Sequence, residues 1–144
     1  AVLGGNAQLV CDRLALKAYP LGYVSDERRI VDIYRSADMY VLPSLEDNLP
    51  NTIMEAMACG VPCVGFRVGG IPEMIDHRRT GYVANFKDSN DLAVGMNWVL
   101  QEADTEQLSS ACVSKVTRCY SGQSVAMRYI EVYNELIALK RYIV

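Results

Sequence analysis

Asp47 and Glu55 are two carboxylates with seven residues between them, and that interval holds Asn48-Leu49-Pro50-Asn51-Thr52, a polar loop that opens a short helix. An ionised carboxylate only accepts hydrogen bonds, so it suits hydroxyl groups and not phosphate. The start of a helix is the opposite kind of site. Its first backbone N–H groups lack intrahelical partners and carry partial positive charge, which suits phosphate. Leu49, Asn51 and Thr52 can present such N–H groups; Pro50 has none. Hydroxyl acceptors beside phosphate donors describe a site for a sugar nucleotide.

The flanking sequence shows how these residues are held. Met39 to Leu42 is an apolar run that reads as a buried strand feeding the loop. The helix then spans Thr52 to Cys59 and is stopped by Gly60, which places Glu55 in its first turn. A second apolar run, Pro62 to Phe66, makes another strand, and Val68-Gly69-Gly70 leads to a helix start at Ile71-Pro72 with Glu73 behind it. Two strand-to-helix crossovers side by side predict a Rossmann-like three-layer α/β/α sandwich with a parallel sheet. In such sheets ligands bind at the carboxyl ends of the strands, where both loops lie. Asp and Asn in a loop commonly only turn the chain, and Glu55 could cap its own helix or pair with an arginine. From the residues alone those readings stay open.

These segments also resemble a family. Glu55-Ala56-Met57-Ala58-Cys59-Gly60-Val61-Pro62 and Gly70-Ile71-Pro72-Glu73 match motifs of the C-terminal, donor-binding half of retaining GT-B glycosyltransferases of glycosyltransferase family 4, the group 1 glycosyl transferases. The family carries two glutamates with seven residues between them; here the first is Asp47, one methylene shorter, and Glu46 is its neighbour. The resemblance runs from about Val2 to Leu100. It implies Asp47 and Glu55 as the catalytic pair, Asp47 on hydroxyls of the donor sugar and Glu55 on the ribose. It further implies backbone contacts to the diphosphate from Leu49, Asn51 and Thr52 around Pro50, and a base contact near Val24, with Glu73 as a further candidate. Asn48 and Pro50 stand where many members have glycine, which stiffens the loop.

The implied function is transfer of a sugar from a UDP- or GDP-sugar to a glycan or lipid-linked acceptor, without a cofactor. The acceptor, and a basic pair that touches the diphosphate, would lie in an N-terminal part that this chain lacks. All 144 residues then form one nucleotide-sugar-binding domain, a fragment closed by a C-terminal helix over 121–144. Peripheral membrane association of the full-length enzyme stays open. Two rivals are a sugar-nucleotide epimerase of the same architecture and a non-catalytic nucleotide-binding regulatory module.

Composition narrows the classes. With 14 Lys+Arg against 17 Asp+Glu and a net charge of -3, the chain has no electrostatic footprint for nucleic acid. The five cysteines lack zinc-ligand spacing and His77 is the single histidine, so no metal site is expected; His77 reads as a surface residue in a polar turn. Glu46 and Asp47 adjacent, with Glu55, form a weak pattern for Mg²⁺. Cys59 and Cys63 read as small buried hydrophobes. Reduced thiols, no signal peptide and no span of about 18 apolar residues suggest a cytoplasmic protein.

The rest of the chain supports the sheet. Val2-Leu3 and Tyr19–Val24 read as strands, with Gly4-Gly5 turning the chain or cradling a phosphate. A helix from Asn6 to Lys17 should pack Leu9, Val10, Leu14 and Leu16 on the sheet. Ser25 should cap the next helix, which turns Ile30, Val31, Ile33 and Tyr34 inward. After a strand at Tyr82–Ala84, helices are expected from Asp88, over Thr105–Arg118 and over Ser124 to about Arg141. The last carries an apolar stripe from Val125 to Ile137, part of which stays exposed if its cover is absent.

Overall fold

Alternation along two short strands sets out the layers of the larger part of the molecule. β3 (Tyr40–Leu42), β4 (Cys63–Phe66) and β5 (Gly81–Ala84) form a parallel sheet in that order, with Val41 paired to Val64 and Val64 to Tyr82. Val64, Phe66, Tyr82 and Ala84 face one side and form a core with Val99 and Leu108. Cys63 and Gly65 face the other, where the Cys63 thiol lies 3.8 Å from the carbonyl of Ile53 and Gly65 lies under Ile71. Helices cover both faces: α3 (Asn51–Ala58) and α4 (Ile71–Met74) on one, α5 (Ser89–Asn97) on the other. α5 runs into a π-helical turn, Trp98–Glu102, and α6 (Thr105–Tyr120) packs on α3 before the tail helix α7 (Gly122–Lys140). This is the expected Rossmann-like parallel α/β sandwich with a helical C-terminal tail.

The computed structural model describes residues 1–140; the expected end of the tail helix at Arg141 and the remainder of 121–144 lie outside them. Where the sequence reads as one domain, contacts gather the chain into two compact units, Ala1–Ser36 and the residues from Ala37 onward. In the first unit, β1 (Val2–Leu3) pairs in parallel with β2 (Pro20–Gly22), and α1 (Ala7–Cys11) and α2 (Glu27–Arg35) flank them in sequence. Three expectations change here. The first helix covers only Ala7–Cys11, and Leu9, Val10, Leu14 and Leu16 are exposed; their spacing fits a buried face, but no element of this unit covers it. β2 ends at Gly22 and does not reach Val24. Asp26, not Ser25, caps α2, accepting from the backbone N–H of Arg29 at 3.1 Å.

Boundaries in the second unit follow local chemistry. α3 ends at Ala58, one residue short of the expected Cys59, and Gly60 stops it as expected: at φ 80° it takes the left-handed conformation, and the N–H of Val61 returns to the carbonyl of Ala56 at 3.0 Å. Asp88 and Asp104 cap α5 and α6 through backbone N–H groups two to three residues on. The Asp91 side chain does not join the cap. It accepts from the Tyr82 hydroxyl at 2.8 Å and from the N–H of Asn85 at 2.7 Å. The Asn85 bond, with Tyr82 second, holds the Asp91 carboxyl below its usual range, and the same contact pushes the Tyr82 phenol up.

Candidate functional site

Two loops leave the carboxyl ends of neighbouring strands, one after β3 and one after β4, and they meet. The N–H of Gly70 donates to the carbonyl of Asn48 at 2.7 Å. Gly69 sits at φ 50°, and a Cβ there would overlap the carbonyl oxygen of Asp47. The glycine pair therefore works by close backbone approach. The structure thus brings Asp47 and Asn48 onto Gly69 and Gly70, a contact that strand order alone does not specify.

α3 starts one residue earlier than expected, at Asn51, with buried Pro50 as its N-cap. Ile53 donates back to Pro50 at 3.1 Å, so helix geometry leaves the N–H groups of Asn51 and Thr52 at the open end. Glu55 consequently lies in the second turn and not the first. It is exposed, and at four residues past Asn51 and three past Thr52 it shares their helix face. α4 is one turn long, so the second helix start contributes a short backbone loop and little macrodipole. Glu73, in that turn, points its exposed side chain to solvent while its carbonyl accepts from Lys115 at 2.7 Å.

Tyr40 is a residue of this site that the sequence reading missed. It begins β3 and is half-buried, and the Thr52 side chain hydrogen-bonds it. Burial pushes its phenol up, the Thr52 bond opposes that, and the carboxylates of Glu55 and Asp47 add to the rise. Tyr40, Thr52, Glu55 and Asp47 therefore share one electrostatic neighbourhood. Asp47 is half-buried whereas Glu46 is exposed. Leu49 and Asn48 are exposed beside them. Val24 is half-buried in the first unit, after β2.

Cys63 and Cys112 are buried, and Cys59 is half-buried, as small apolar fillers would be. Burial pushes Cys63 well up and Cys112 up to about 12, so neither is a thiolate near neutrality. His77 is exposed, as expected, although its Nδ1 accepts from the N–H of Val83 at 3.2 Å. Among the described residues, no group of three or more His, Cys, Asp or Glu side chains could hold a metal ion. None of the described helices is long and apolar enough to cross a membrane. An open cleft of about 770 Å³ lies elsewhere, lined by Arg78, Arg79, Trp98 and Gln107. It is at the amino end of β5, away from the loops, so its size does not make it the site of the chemistry.

The family model described as glycosyl transferases group 1 matches residues 2–102. This chain belongs to that family. It is 27% identical over 116 residues to an N-acetyl-alpha-D-glucosaminyl L-malate synthase of Bacillus anthracis, covering 80% of this chain and 30% of that protein. An uncharacterized glycosyltransferase of Methanocaldococcus jannaschii is 32% identical over 114 residues, covering 78% and 29%. The chain thus spans about a third or less of the length of these glycosyl transferase relatives. Among solved structures, Anabaena HepE in complex with UDP superposes with a TM-score of 0.74 at 19% identity, covering 92% of this chain and 40% of that one. A sucrose-phosphate synthase from Thermosynechococcus elongatus gives 0.69 at 25% identity, covering 81% and 30%.

Proposed function

We propose that this glycosyl transferase chain is the donor-binding part of a retaining enzyme. The full-length protein would move a hexosyl group from a UDP- or GDP-sugar to a glycan or lipid-linked acceptor held by an N-terminal domain. The observation that carries this reading is the loop after β3. In sequence Asp47 precedes and Glu55 follows the open N-terminus of α3, both able to accept from hydroxyls, and the glycine pair after β4 braces the loop. That combination fits a diphosphate flanked by ribose and sugar. HepE, of the same fold, has been solved with UDP and with UDP-glucose.

In this reading the N–H groups of Asn51 and Thr52 receive the diphosphate, Glu55 accepts from the ribose hydroxyls, and Asp47 orients the donor sugar. The bond from the sugar's anomeric carbon to the phosphate oxygen breaks, and the acceptor oxygen bonds to that carbon on the same face. The acceptor's proton passes to the departing phosphate. Developing charge on that phosphate meets oriented backbone dipoles, so no metal is required. The reaction takes place in the cytoplasm, at the inner membrane face where the acceptor is lipid-linked, and it serves polysaccharide assembly. The 144 residues alone bind nucleotide weakly and transfer no sugar.

Titration of the full-length enzyme with UDP and GDP, with and without EDTA, tests this. Glu55→Ala should weaken binding by about 1.5–3 kcal/mol, the loss of hydrogen bonds to a charged acceptor. Unchanged affinity in the folded variant removes the ribose assignment, and EDTA-sensitive binding removes the metal-free step. Sugar inversion without any acceptor would identify an epimerase instead.

A further inference from the structure

α6 buries two polar side chains about one turn apart, Cys112 and Lys115, and both reach the segment that joins α4 to β5. The Cys112 thiol donates to the carbonyl of Thr80 at 3.2 Å. The Lys115 side chain is 8% exposed, and its ammonium donates to the Asp76 carboxylate at 2.5 Å and to the backbone carbonyl of Glu73 at 2.7 Å. A buried ammonium needs a paired charge, and Asp76 supplies it. The bond to Glu73 is an additional one. Glu73 is the third residue of α4, a single turn that cannot persist alone in water.

The two ends of α4 are thus fixed by different parts of the second unit. Its carbonyl end is held by Lys115 from α6. At its amino end, Gly70 donates to Asn48, and Gly69 lies against Asp47. Contacts run without a gap from Lys115 through α4 to the loop that carries Asp47. We infer that Lys115 is a positioning residue: it sets α4, and through the glycine pair it sets the donor loop 47–52. This inference rests on the donor-site reading above.

The test is steady-state kinetics of the full-length enzyme with varied donor. Lys115→Met should raise the donor KM about tenfold, the equivalent of one hydrogen bond to a charged group, while kcat changes less than about threefold. Cys112→Ala removes the neighbouring buried contact, to Thr80 and not to α4. It should lower the melting temperature and leave KM unchanged. A folded Lys115→Met enzyme with the wild-type KM overturns the inference, and so does a Cys112→Ala enzyme with the same rise in KM. Where Lys115→Met does not fold, Lys115→Gln, one bond shorter with an amide donor, decides on the same readout. A rise of about threefold or more supports positioning, and the wild-type value overturns it. A wild-type enzyme that binds neither UDP nor GDP takes the donor-site reading and this inference down together.

Discussion

The backbone N–H of Gly70 donates to the carbonyl oxygen of Asn48 at 2.7 Å, so one loop of the site is fixed by the other through main-chain atoms. Gly69 beside it has φ 50° and no room for a Cβ against Asp47. Gly69→Ala should therefore cost about 1–3 kcal/mol through the left-handed backbone and the displaced loop. It should also weaken binding of the nucleoside diphosphate. Thermal melts and calorimetric titration on the same preparation check both; wild-type affinity would show that the loop contact does not shape the site.

Asp47, and not Glu46, is expected to orient the donor sugar, since it is half-buried against Gly69 and shares the surroundings of Tyr40 while Glu46 is exposed. Asp47→Asn should cut kcat of the full-length enzyme while nucleoside diphosphate affinity stays close to wild type. Glu46→Gln should leave both unchanged. The opposite pattern in the two variants would move the acidic role to Glu46.

Gly95 in α5 tests packing against helix propensity. Alanine gains roughly 1 kcal/mol over glycine inside a helix. A Cβ at Gly95, however, would stand 2.6 Å from Cγ of Tyr82, whose ring is held by the bond from its hydroxyl to Asp91. Overpacking costs about 1–3 kcal/mol, so Gly95→Ala should be neutral to destabilising and not stabilising. Chemical denaturation of the 144-residue chain decides the sign.

The buried thiols predict an alkaline limit. Cys112 has its pKa raised from 9.0 to about 12, and Cys63 is also raised well above 9.0. Below pH 9 both folded and unfolded chains keep these protons, and the contribution of burial is fully present. Between pH 9 and about 12 the unfolded chain releases them first, so stability falls as pH rises. Melting temperature measured across that range should drop. A Cys63→Ala, Cys112→Ala double variant should start lower and fall less steeply; an equal slope would assign the alkaline loss to other groups.

Much of the site was readable because glycine, proline and apolar runs mark it out. Met39–Leu42, Gly60 and Pro62–Phe66 bound the same strand, loop and helix that the structure contains. What escaped were relations that no local pattern encodes. Leu9, Val10, Leu14 and Leu16 recur at helical spacing, which marks a face as apolar without saying whether anything covers it. Ser25 and Asp26 are both able caps, and only backbone geometry selects Asp26. Tyr40 was legible as a strand residue, but its place beneath Thr52 depends on how α3 lies on the sheet. Lys115 has no local signal at all, because its partners are 39 and 42 residues away.

α7 gives the molecule a handling property. Tyr129, Val132, Tyr133, Leu136 and Ile137 are each more than half exposed along one helix, and Met127 and Leu139 are too. Such a surface is greasy whatever its native cover. The isolated chain should therefore self-associate as its concentration rises and bind hydrophobic dyes. Shortening it before Gly122, where α6 has ended, should give a better-behaved sample without disturbing the sheet. The donor loop would then be open to study in a protein of about 120 residues, small enough for amide spectra to resolve each of its N–H groups.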